Sequence, residues 1–136
     1  MNGAASARDN QPGEELWQEI ERALANPEMI DEGDPAPSKQ AVSKLKRIIE
    51  ETQRERGAPI PPAHIEFVDG SIRLLWTRPH MRVILDVASS DERPSYIYHG
   101  DVENGSVANY GTVEPSHSNL TRWLDLMDSQ NSTPQL

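Results

Sequence analysis

The hydrophobic period of this chain changes at His64, and that change most constrains what it can fold into. Upstream, apolar residues recur every three or four positions; downstream, they recur every two. Helices followed by a run of strands belong to the α+β class, with the helices gathered on one sheet face.

The first helical stripe is Leu16, Trp17, Ile20, Ala23 and Leu24. Glu14 and Glu15 open it, suiting the positive end of the helix dipole, and Pro27 stops it near Asn26. Residues 28–37 read as an acidic Pro/Gly linker. Ser38 then serves as N-cap for a second helix carrying Ala41, Val42, Leu45, Ile48, Ile49 and Thr52 on one face. Gly57 is its C′ residue, and Pro59, Pro61 and Pro62 bar any continuation beyond Arg56.

Ile65 and Phe67 alternate with His64 and Glu66, and Asp69-Gly70 is a hairpin signal. Ile72, Leu74 and Trp76 are expected inward, with Arg73, Leu75 and Thr77 on a second, mainly polar face. Arg78-Pro79-His80 turns the chain into a strand with Met81, Val83, Leu85 and Val87 on one face. Ser95 to Val102 reads as a fourth strand, and Val107 to Val113, after Asn104-Gly105, as a weaker fifth. Leu120, Trp123, Leu124 and Met127 mark a last helix capped by Ser116 or Ser118. The expectation is two N-terminal helices, a four- to five-stranded antiparallel meander, and a C-terminal helix on one sheet face. Residues 14–128 would form one domain between disordered tails at 1–13 and 129–136.

Four segments carry a resemblance. They are Pro37-Ser38-Lys39-Gln40-Ala41-Val42, Ala58-Pro59-Ile60-Pro61-Pro62, Val68-Asp69-Gly70-Ser71-Ile72-Arg73-Leu74-Leu75-Trp76 and Tyr96-Ile97-Tyr98. Over roughly half its length the chain resembles small bacterial α+β proteins of unknown function. Those have a Trp-Asp-Gly-type motif before the first of these helices. Here the matching stretch is Ile30-Asp31-Glu32, in which Asp31 alone agrees. The resemblance implies the helix-then-meander fold and carries over no catalytic or binding residue.

Chemistry is sparse. With no cysteine among 136 residues, disulfides, thiolate metal sites and thiol catalysis are excluded. There is no Gly-x-Ser-x-Gly elbow and no glycine-rich phosphate loop. Paired acids such as Glu50-Glu51 are adjacent on a helix and do not face each other. In a simple meander His64, His80 and His99 gather at one end of the sheet. Three strand spacings of ~4.8 Å still separate His64 from His99 by ~14 Å. A shared zinc would need each nitrogen within ~2.1 Å, so exposed strand-end histidines are expected instead. No enzyme activity, metal or cofactor is expected. The amino terminus has no apolar signal-like stretch, and no apolar run approaches the ~18–20 residues of a membrane helix, so the expected location is cytoplasmic.

Charge points to a partner. The net charge is -9, and residues 1–36 hold nine acids and two bases, against eleven acids and ten bases in 37–115. The expected function is a non-catalytic protein-interaction or regulatory module of inhibitor, antitoxin or immunity type. Its candidate contacts are Glu14, Glu15, Glu19, Glu28, Asp31, Glu32 and Asp34, which suit a basic protein, and Tyr96 and Tyr98 on one face of the fourth strand. The alternative is nucleic-acid binding through the basic side of the second helix, above all Lys39, Lys46 and Arg47. Glu50, Glu51 and Glu55 interleave that side and weaken it. Trp17, Trp76 and Trp123 fall on inward stripes and are expected to share the core.

Overall fold

The second helix shows how the layers are joined. In this computed structural model, which describes residues 14–90, 92, 94–103, 106–113 and 115–132, helix α2 spans Lys39–Arg56. Ser38 caps it: its Oγ accepts the Ala41 N–H at 3.0 Å and donates to the Ser89 carbonyl at 2.6 Å. The Ser38 N–H also reaches the Gly70 carbonyl at 3.1 Å. One residue therefore starts the helix and fastens it to two sheet loops. At the other end Gly57 takes the left-handed conformation, with φ 66°, and returns its N–H to the Gln53 carbonyl.

Helix α1 (Glu14–Leu24) precedes α2, and a 3-10 turn at Pro27–Met29 interrupts what the sequence reads as plain linker. Asn26 accepts the Glu28 N–H and supplies the cap that makes this turn possible. The strands are β1 (His64–Val68), β2 (Ser71–Arg78), β3 (Met81–Val87), β4 (Tyr96–Glu103) and β5 (Ser106–Val113). They form one five-stranded antiparallel meander in chain order. Helix α3 (His117–Ser132) closes the fold.

Between β1 and β2, Asp69 (φ 53°) and Gly70 (φ 84°) both have positive φ, as a two-residue type I′ hairpin requires. A side chain at Gly70 would press on Ser89 at 3.2 Å, so this turn also lies close under the Ser38 junction.

The inner sheet face holds Phe67, Ile72, Leu74, Trp76, Val83, Leu85, Val87 and Ile97, all buried. Ala41, Leu45, Ile48 and Ile49 of α2 and Leu120, Leu124 and Met127 of α3 complete one core with them. Leu16 and Ile20 of α1 join the same core, so the first helix docks. Trp76 is buried whole, its indole N–H satisfied by the Pro61 carbonyl at 2.8 Å. Trp17 and Trp123 are half-buried at the core's margin.

Arg56, the last residue of α2, is a clamp between α2 and α3. Its guanidinium is 1% exposed and donates to Asp125 at 2.9 Å, Asp128 at 2.6 Å and the Pro59 carbonyl at 3.1 Å. Helix α3 also runs to Ser132, into the segment expected to fray from residue 129. The expected tail at 1–13 and the Asn104-Gly105 turn lie outside the described residues.

The two sheet edges differ. β1 has five residues with His64 and Glu66 among them, and Pro61-Pro62 precede it. β5 has eight residues and none of them is charged or proline.

Candidate interaction surface

Strand pairing sets the outer face row by row. Glu66 pairs with Arg73, Arg73 with Asp86 and Asp86 with Tyr96, giving an ionic row that ends in an aromatic ring. The next row is His64, Leu75, Ile84 and Tyr98; the third is Thr77, Arg82 and Gly100. Rows on one face repeat every second residue, so Leu75, Ile84 and Tyr98 stand side by side about 4.8 Å apart.

None of these residues belongs to the core, whose helical members all pack with the inner set. Leu75, Ile84, Tyr96 and Tyr98 are each half-buried. The face expected to be mainly polar therefore has an apolar and aromatic central row. The difference arises from register: Leu75 lies between Arg73 and Thr77 on its own face of β2, and Ile84 between Arg82 and Asp86 on β3, and pairing brings the two apolar side chains opposite each other.

The ionic row is closely bonded. Arg73 places Nε at 3.2 Å and Nη2 at 3.1 Å from Asp86 Oδ2, and Nη1 at 3.6 Å from Glu66 Oε1. The Asp86 side chain is only 7% exposed. Beside it a cleft of about 250 Å³ opens, lined by Val68, Ser71, Arg73, Asp86, Pro94 and Tyr96. No sequence motif marks it. The Arg73–Asp86 pairing could nonetheless be counted outward from the Pro79-His80 turn, since each lies five residues from the Arg78–Met81 pair that closes it.

The acidic candidates are dispersed. Glu14 begins α1; Glu15 and Glu19 are exposed on it; Glu28, Asp31 and Glu32 are exposed on the 3-10 turn and linker. Asp34 is half-buried, and its Oδ2 accepts the Asp69 N–H at 3.3 Å, so it braces the β1–β2 turn. The basic candidates are thinner than the sequence implies. Lys39, Lys46 and Arg47 are all exposed, but the Lys46 ammonium lies over the Trp17 ring at 5.8 Å, and Arg56 is committed to its clamp.

No family model, curated protein or solved structure matches this chain. Function has to be argued from these surfaces.

His99 corrects the sequence expectation of an exposed strand-end histidine. It follows Ile97 by two residues and so shares the inner face. There it pairs with Val83 and Gly111, and its ring stacks on Trp123 at 3.6 Å with 15° between planes. Burial pushes its pKa below the ordinary histidine value, with Arg122 adding to the effect and Asp101 opposing it. Gly111 leaves the room for that ring: a Cβ there would meet His99 Cε1 and Nε2 at 3.0 Å. His64 and His80 are exposed, and His117 meets Glu55 at 3.2 Å. Among the described residues no three His, Asp or Glu side chains gather as metal ligands, and no helix is long and apolar enough to cross a membrane.

Proposed function

We propose that this chain is a non-catalytic interaction module that binds a basic protein partner through the outer face of its sheet. An inhibitor, antitoxin or immunity-type role suits such a module. The observation that carries the reading is the row Leu75–Ile84–Tyr98 flanked by the Glu66–Arg73–Asp86–Tyr96 row, on a face that contributes nothing to the core. Apolar and aromatic centres with a polar rim are what protein interfaces use. The net charge of -9 favours a basic partner and opposes nucleic acid. The exposed acids of α1 and the linker would steer the encounter rather than form its centre.

The test is affinity capture from the native host with the full chain and two variants. Ile84→Lys is expected to abolish capture of the specific protein. Charge reversal at Glu15 and Glu19 should slow association and leave the complex intact at low salt. Capture indifferent to Ile84→Lys, or no specific protein at all, refutes the proposal.

A further inference from the structure

We propose that the cleft beside the ionic row is a receptor for a guanidinium group, an arginine side chain of the basic partner. This deepens the reading of the outer face as a partner surface and rests on it.

The first argument is an open acceptor. Arg73 sends both of its bonds to Asp86 Oδ2, and among the described residues Oδ1 accepts none. Oδ1 is not among the buried atoms that lack a partner, so water reaches it from the cleft, and a donor seated there would take that water's place.

The second is charge. Among the described residues Glu66 and Asp86 bring two carboxylates to the Arg73 guanidinium, and His64 meets the other Glu66 oxygen at 3.5 Å, so the Asp86 end of the row is where a further cation is favoured. An anion would meet two carboxylates, and an apolar side chain would seal Oδ1 away from water without a partner.

The third is shape. Tyr96 provides an aromatic wall, and Val68 and Pro94 provide apolar surface for an aliphatic stem. A planar cation that stacks on a ring while donating in its own plane matches these walls better than a lysine ammonium does. At about 30 Å³ per water, the 250 Å³ cleft has room for roughly eight waters, or for one long side chain that displaces them.

The experiment is a titration of the isotopically labelled full chain, followed by amide resonances, with three blocked tripeptides. They are acetyl-Gly-Arg-Gly-amide and its counterparts with lysine and with citrulline, the neutral isostere of arginine. Saturable shifts are expected at Val68, Ser71, Asp86 and Tyr96 with the arginine peptide. Affinity should fall at least fivefold with citrulline and at least twofold with lysine. Tyr96→Leu, which leaves the Arg73–Asp86 pair intact, should weaken arginine binding at least threefold. Asp86→Asn should weaken it further; should that variant fail to fold, Tyr96→Leu and the citrulline peptide decide. No saturable shift, equal binding of citrulline, or indifference to Tyr96→Leu overturns the inference. The two claims fail separately. Capture abolished by Ile84→Lys without peptide binding sinks only the arginine receptor. Peptide binding with capture indifferent to Ile84→Lys sinks only the partner surface.

Discussion

The Arg56 clamp predicts an unequal response to removing its two sides. The guanidinium is 1% exposed, whereas Asp125 and Asp128 are 57% and 46% exposed. Arg56→Met removes the charge from the buried position and leaves two carboxylates that water can reclaim. The loss is then two bonds to exposed carboxylates and one to the Pro59 carbonyl, offset by rehydration and by an apolar chain of similar length, about 1–2 kcal/mol. Asp125→Ala with Asp128→Ala does the reverse. It strands a guanidinium whose Nε already has no partner and leaves only the Pro59 carbonyl beside it. Breaking a buried pair from that side costs ~3–5 kcal/mol. Alanine also raises helix propensity in α3, so the measured loss would understate the stranding. Urea unfolding followed by tryptophan fluorescence reads both. Against a total of ~5–15 kcal/mol the double aspartate variant should be clearly marginal, and the methionine variant should fold normally. Arg56→Met costing as much as the double variant would refute the argument, because stranding could then not be the cause.

Three further outcomes follow from the same geometry. Burial lowers the His99 pKa in the folded state, so the unfolded chain takes up the proton first; stability should be full above about pH 6.5 and fall as pH drops below it, and His99→Gln should flatten that slope in pH-dependent denaturation. Gly111→Ala drives a methyl into the His99 ring, so Trp123 emission should change and stability fall by ~1–3 kcal/mol; an unchanged melt would mean that β4 and β5 separate freely here. Ser38→Ala removes both the α2 cap and the Ser89 bond and should cost ~1–2 kcal/mol in thermal unfolding, with Ser38→Thr restoring most of it.

The layers were legible because they rest on local rules. Ser38 and Gly57 bound α2 as their chemistry requires, and Asp69-Gly70 turned where an I′ hairpin needs positive φ. What was hidden depends on register across strands or on contacts far apart in sequence. Leu75 and Ile84 look incidental until pairing sets them side by side. Arg56 looks like one base among several until α3, some seventy residues later, brings Asp125 and Asp128. His99 was legible in principle, since strand parity with Ile97 already placed it inside. Distance from the sheet's end was the wrong measure for it.

The unequal edges of the sheet limit how the molecule can associate through its backbone. β1 is short, charged and preceded by prolines, whereas β5 has eight uncharged residues, and among the described residues no strand pairs with its outer side. A unit that can accept a strand at one border alone has nowhere to pass the pairing on. Two copies joined along β5 would use up both open borders and leave β1 at each end of the doubled sheet. Growth by that route would stop at two, because a fibre needs every unit to be receptive on both sides.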